Sequence, residues 1–347
     1  MCYAMGVRMD RIDFSPGQCN PGDIGRQIEG CYNISDKVRV SLLKFSENLT
    51  YLAEDGRNKK YVFRLHKPGY HTREELEGEL IWLDMLKKDS GLKIAGVIPG
   101  RDGEFIQELC FEDSGLKCYC SLLEFMPGNT LRGMQGEELL YYMERIGEIA
   151  AILHNHVIAW PASAKLKRFC WDYEDLMGVD SRWGHFNEMK TLSPYQSEMY
   201  TGVSELIRFR LDRYGKSKDR YGLIHSDLNI NNILVEKGSI SVLDFDDCGF
   251  GWFLYDLSTS VLEYFEDSEA GSLNRLIRAW LKGYEKQRKL TAADYEEIDT
   301  FVIFRKIVRV GWIATHITND TVKKVEPEYY QKTAQMAEEF LRKRGGL

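Results

Sequence analysis

Apolar positions alternate with polar ones over the first third of the chain and then recur every three or four residues over most of the remainder. From Val38 the chain reads VRVSLLKF, the polar SENLT, YLAE, a turn at Asp55-Gly56-Arg57-Asn58, and YVFRLHKPG. Asp-Gly between apolar runs marks a hairpin, which predicts consecutive antiparallel strands. Thr72-Arg73-Glu74-Glu75 has the form of a capping box, and Leu76, Leu80, Leu83 and Leu86 follow at helical spacing. GLKIAGVIPGRDGEFIQEL and KCYCSLLEFMPGNTL supply further strands. Pro127-Gly128 ends the last of these before helical territory and is the natural boundary between two parts.

Beyond it, Leu139, Met143, Ile146, Ala150, Leu153 and Val157 describe one long amphipathic helix. Further helices are expected over Tyr195 to Tyr214, around Leu273 to Lys289, over Tyr295 to Thr315, and from Pro327 to Arg344. The stretch Trp160 to Leu192 has weaker periodicity and reads either as an insert near a substrate or as a packed connection. The organisation expected is an irregular extension over residues 1–20, a strand-rich lobe over 21–127 and a larger helical lobe over 128–347.

Composition narrows the class. With 44% hydrophobic and 29% charged residues the chain is globular rather than disordered. A net charge of −7 argues against nonspecific nucleic-acid binding. No apolar run approaches a membrane span and the first residues lack the apolar core of a signal peptide, so the expected location is the cytoplasm, with no membrane partner. The eight cysteines include no C-x-x-C; Cys118 and Cys120 would share one face of a strand, and most of the eight read as small buried side chains in a reducing compartment. His154 and His156 have no Glu or Cys at ligand spacing and read as structural.

Candidate chemistry gathers between Tyr221 and Gly251, YGLIHSDLNINNILVEKGSISVLDFDDCGFG. Asp227 follows His225 by two residues, and Asn232 lies five residues further on. A hairpin around Lys237-Gly238 then returns the chain to Asp244. Mg²⁺ takes oxygen donors and accepts one or two carboxylates beside nucleotide phosphates, so an Asn and an Asp joined by a hairpin suit a shared metal, with Asp227 as general base. The alternative is that these are turn residues, but an Asp closing the apolar run VLDF would be costly to bury unpaired. Arg64, inside a strand, reads either as a solvent-facing residue or as a phosphate contact, and Glu75 or Glu79 could meet it from the helix.

His225-Ser226-Asp227-Leu228-Asn229-Ile230-Asn231-Asn232 and Leu243-Asp244-Phe245-Asp246 resemble the catalytic and metal-binding motifs of the aminoglycoside phosphotransferase and choline kinase superfamily. The resemblance runs through most of the chain from about Leu42. It implies an α+β, bilobal protein-kinase-like fold: an antiparallel sheet lobe with one helix, and a mainly helical lobe. It also implies ATP- and Mg²⁺-dependent transfer of a γ-phosphoryl group to a hydroxyl. In that likeness Asp227 accepts the proton, His225 braces the loop, and Asn232 and Asp244 hold Mg²⁺. Ser46-Glu47-Asn48 resembles the phosphate loop, Arg64 the strand cation that is usually Lys, Glu79 its helix partner, and Leu123-Glu124-Phe125-Met126-Pro127-Gly128 the hinge; Tyr255-Asp256-Leu257 resembles the segment after the metal Asp. Arg64 offers a planar fork where Lys offers a point donor, and Ser226 and Asn229 stand where Gly and His are usual.

Asp244 and Asp256 are separated by eleven residues (245–255), too few for the long regulated loop of protein kinases, and no A-P-E element is present. A small hydroxylated substrate is therefore expected, whether an amino alcohol, a homoserine-like acid, a sugar or an aminoglycoside-like molecule. A protein Ser/Thr kinase and a nucleotide-binding pseudokinase are the alternatives. Glu263, Glu266, Asp267 and Glu269 suggest either a pocket for a cationic acceptor or a solvated helix face.

Overall fold

A computed structural model describes residues 14–46, 48–265, 270–316, 322, 325 and 327–345. The predicted meander is present: β1 (Arg39–Phe45), β2 (Leu49–Glu54) and β3 (Lys60–Leu65) pair antiparallel in sequence order. Along β2, Leu49, Tyr51 and Ala53 are buried in alternation, which fixes its register. Asp55 closes the β2–β3 turn by accepting the backbone N–H groups of Arg57 and Lys59 at 2.9 and 3.0 Å. β4 (Lys93–Ile94) and β5 (Val97–Ile98) are short, and β6 (Gln107–Phe111) and β7 (Leu116–Glu124) form a further hairpin; β7 pairs with β3, β5 and β6. Cys118 and Cys120 both point into the core.

The helix α1 (Pro21–Cys31) lies outside the sequence expectations. Asn20 caps it through Gly22 N–H at 2.8 Å and Pro21 occupies its first position. Ile24 and Ile28 are fully buried together with Phe14 and Cys19, against Tyr51, Phe63 and Leu122. Residues 14–20 are thus anchored to the sheet, and residues 1–13 lie outside the described residues. α2 (Arg73–Asp89) begins with the expected capping box, with Thr72 and Glu75 reciprocally bonded, and its four stripe leucines are buried.

Past Pro127-Gly128 the chain makes β8 (Asn129–Thr130) and the long α3 (Gly136–Ala159). The weakly periodic stretch folds as β9 (Cys170–Trp171), α4 (Tyr173–Met177) and single turns, with Trp171, Trp183 and Phe186 buried. α5 (Pro194–Tyr214) and β10 (Tyr221–Ile224) lead to the hairpin of β11 (Ile233–Glu236) and β12 (Ser239–Val242). Lys237 and Gly238 at its tip have φ of 50° and 78°, the left-handed pair that matches strand twist in a two-residue turn. This hairpin joins the two parts of the molecule, because β11 pairs with β8 and β12 pairs in parallel with β4. β13 (Gly249–Trp252) sits between β10 and β9. α6 (Phe253–Phe265), α7 (Ala270–Tyr284), α8 (Ala292–Thr315) and α9 (Glu328–Arg344) complete the helical part. Among the described residues no helix is long and apolar enough to cross a membrane. The architecture is α+β, a sheet lobe with α2 across it and a larger helical lobe, as the sequence led us to expect.

Candidate active site

The segment between β10 and β11 is held by two buried groups. Asp256, at the start of α6 and fully buried, accepts the backbone N–H of Ser226 on Oδ1 at 2.6 Å and that of His225 on Oδ2 at 3.2 Å. His154 of α3 meets Asp256 Oδ2 through Nε2 at 3.0 Å, and its Nδ1 lies 2.9 Å from Tyr284 Oη. With Nε2 donating to the carboxylate, Nδ1 accepts from the tyrosine, and every polar atom of the set is used. His154 is structural, as its sequence context suggests. These bonds, with Ser226 Oγ donating to the Asp247 carbonyl, hold Ser226 at a φ of 62°, a left-handed conformation a serine adopts only when its surroundings impose it.

His225 bridges this loop to the strand that carries Asp244. Its Nδ1 accepts the Asp227 N–H at 3.3 Å, so its Nε2 carries the proton and donates to the Leu243 carbonyl at 2.9 Å. The ring lies 4.5 Å from that of Phe245, centroid to centroid. Asp227 projects beyond it. Asn229 Nδ2 donates to its Oδ1 and Asn232 Nδ2 to its Oδ2, both at 2.8 Å, and Asn232 Nδ2 also reaches the Asp227 carbonyl at 2.9 Å. Two acceptors on one side oblige Asn232 to turn its NH₂ there, which leaves its Oδ1 toward the cavity.

Asp244 closes the hairpin at a φ of 59°, a second non-glycine residue in the left-handed region. Its carboxylate lies 3.3 Å from Arg64 Nη2 and 3.4 Å from Lys44 Nζ. Burial works against its charge, but Lys44 and Arg64 outweigh burial and lower its pKa below the usual aspartate value. Arg64 is buried: Nη1 meets Glu79 Oε1 at 2.8 Å and Asp246 Oδ1 at 3.4 Å. The solvent-facing alternative for Arg64 is thus excluded, and Glu79 rather than Glu75 is its helix partner. Burial pushes the Glu79 carboxyl up even beside Arg64.

Asp246, part of the motif but given no role from the sequence, is a second buried carboxylate at the site. Asn48 Nδ2 donates to its Oδ2 at 2.9 Å, and His71 Nε2 and His66 Nδ1 lie 3.5 and 4.0 Å from its oxygens. Burial opposes its charge, yet His71 and Arg64 hold its carboxyl well below the aspartate range. Arg168 locks the same loop from outside, donating to the carbonyls of Asp246, Cys248 and, on α2, Glu75. Gly78 lets α2 come this close, since a Cβ there would stand 2.6 Å from the Lys167 carbonyl.

A cavity of about 240 Å³ opens over these groups. Ser46, Asn48, Arg64, Asp227, Asn232 and Asp244 line it, so six of the predicted site residues converge; Glu47 lies outside the described residues. Glu79 and His225 act one layer behind it. Glu124 and Met126 do not reach the lining: Glu124 Oε2 accepts from Lys87 Nζ at 2.8 Å and Gly96 N–H at 3.0 Å, and Met126 packs on the apolar core. The lining also includes Trp183, from the stretch that reads either as an insert near a substrate or as a packed connection, and Arg305, Lys306, Arg309 and Trp312, which were not foreseen. Of the acidic residues near the end of α6, Glu266, Asp267 and Glu269 lie outside the described residues, and only the helical backbone of Glu263 is described.

A strand cation paired to a helix carboxylate, facing an Asp-bearing loop and a hairpin Asp across a two-lobed fold, places the protein among kinase-like phosphotransferases. The chain belongs to the Phosphotransferase enzyme family, whose profile matches residues 42–290. It is 25% identical over 299 residues to the amicoumacin kinase of Bacillus subtilis (strain 168), covering 84% of each chain. The structure of a microcompartment-associated aminopropanol kinase is similar at 32% identity and a TM-score of 0.77, covering 93% of this chain and 98% of that one. The amicoumacin kinase hAmiN, solved with AMP-PNP, Ca²⁺ and Ami, shares the fold with a TM-score of 0.74 at 19% identity, covering 94% and 95%. The expected reaction class, a small-molecule kinase with an alcohol acceptor, agrees with family and fold.

Proposed function

We propose that the protein transfers the γ-phosphoryl group of ATP to a hydroxyl of a small molecule in the cytoplasm, with Asp227 as general base and Asn232 and Asp244 as the ligands of Mg²⁺. The residues present fit that metal: the Asn232 amide oxygen and the ionised Asp244 carboxylate are hard oxygen donors facing one cavity. When bound, Mg²⁺ neutralises charge on the nucleotide phosphates.

The observation that carries the reading is the hold on Asp227. Its carboxylate is fixed by two amide donors at 2.8 Å, faces the cavity, and stays an acceptor able to take the proton of an incoming hydroxyl. Arg64, Lys44 and Ser46 line the side where phosphates would rest, and Glu79 fixes the Arg64 fork behind them. In this division residues 21–127 form the nucleotide lobe, Glu124 and Met126 belong to the hinge between the lobes, and residues 128–347 carry the catalytic loop and acceptor side. Amino alcohols, homoserine-like acids and sugars all carry the required hydroxyl, and the aminopropanol and amicoumacin kinases among the relatives support a small acceptor.

The test is Asp244→Ala. Titration of Mg²⁺ in the presence of a nonhydrolysable ATP analogue should show metal-dependent nucleotide binding weakened by at least tenfold. Unchanged metal dependence would remove Asp244 from the site.

A further inference from the structure

Three buried arginines of this chain have their guanidinium forks well occupied. Arg64 faces three carboxylates, Arg168 donates to three backbone carbonyls, and Arg210 bonds Glu297, Thr300 and the Glu296 carbonyl. Arg305 of α8 differs. Its side chain is 14% exposed, yet among the described residues its only hydrogen bond runs from Nη1 to Tyr255 Oη at 3.2 Å. Its Nη2 stands 3.7 Å from Asp227 Oδ1, close enough for an ion pair but beyond hydrogen-bond reach. The guanidinium is braced 5.1 Å from the Trp183 ring centroid and lines the cavity. A largely buried guanidinium that lines the cavity and makes one hydrogen bond among the described residues has N–H donors left to offer an acceptor from outside the chain.

The position of that acceptor follows from the base. A reacting hydroxyl must come within about 3 Å of Asp227, so a group one or two bonds from the carbinol carbon falls beside Arg305. A planar fork matches a carboxylate in two-point contact and repels an ammonium. Lys306 and Arg309 of the same helix also line this wall and add to its positive field.

We propose that Arg305 receives a carboxylate of the acceptor, so that the substrate class is hydroxylated amino or hydroxy acids rather than simple amino alcohols. This rests on the phosphotransfer reading above.

Pairs that differ by one carboxylate test it: threonine against 1-amino-2-propanol, serine against 2-aminoethanol, homoserine against 3-amino-1-propanol, each with Mg·ATP. The expected result is a kcat/KM at least tenfold higher for the acid in at least one pair, and a ratio reduced at least tenfold in Arg305→Gln. Equal rates, preference for the amine-only members, a ratio unmoved by Arg305→Gln, or no turnover of any pair overturns the assignment. An Arg305→Gln loss that falls equally on both members of a pair would place the arginine on the transferring phosphoryl group instead and likewise overturn it. Slow Mg²⁺-dependent ATP hydrolysis that disappears in Asp227→Asn would show phosphotransfer intact while this inference fails; its absence in wild type as well would count against both.

Discussion

Asn232 is turned by Asp227: its amide nitrogen lies 2.9 Å from the Asp227 carbonyl and 2.8 Å from the Asp227 carboxylate, which leaves its oxygen facing the cavity. One side chain thus orients the base and presents a metal donor. Asn232→Asp keeps an oxygen for the metal but sets two carboxylates side by side. Like charges raise the pKa of one member of the pair, and a general base works only when deprotonated. The acid limb of the kcat/KM profile should therefore move to higher pH by roughly one unit or more. A pH profile superimposable on wild type would show that the two residues are not coupled.

Arg64 holds three carboxylates at once, with Glu79 fully buried among them. Arg64→Ala would remove the cation bonded to Glu79 and one of the partners of Asp246, and breaking a buried pair in this way costs about 3–5 kcal/mol. Denaturant unfolding should show a loss of that order, whereas a loss below about 1 kcal/mol would mean the pair behaves as a surface ion pair. Arg64→Lys should retain part of the stability but not all three contacts, since an ammonium cannot span them in one plane.

Much of this geometry was legible before any coordinates. The capping box at Thr72, the Lys237-Gly238 turn and the alternation of β2 are local signals, and each predicts the element it makes. Asp227, Asn232 and Asp244 were legible because a single hairpin brings them together. Asp246 was not, because its partners Asn48 and His66 flank the paired ends of β2 and β3, with His71 further on, and they reach Asp246 only where the sheet lobe meets the helical lobe. Arg305 follows Asp246 by 59 residues (305 − 246) and has no local mark, since its meaning depends on α8 lining the cavity. α1 carries three glycines in eleven residues, and it is the packing of Ile24 and Ile28 rather than propensity that makes it a helix.

His66 gives a signature in stability against pH. Burial, aided by the Arg64 charge, depresses its pKa from 6.5 to about 3, and its Nε2 lies 3.0 Å from Ser121 Oγ. Between those values the unfolded chain binds a proton that the folded chain does not, so stability falls as pH drops through this window. His66→Gln keeps a polar partner for Ser121 and removes the titration. The unfolding free energy of wild type relative to His66→Gln should therefore decline from pH 6.5 downward, and a difference independent of pH would show that His66 titrates normally.

The account turns on Asp227 as the base, and single-turnover consumption of Mg·ATP with the best acceptor from a hydroxylated-metabolite panel tests it most directly. Asp227→Asn should transfer the phosphoryl group slower by a factor on the order of 10²–10⁴, with nucleotide affinity and thermal midpoint close to wild type. Transfer within a few-fold of wild type would contradict the account.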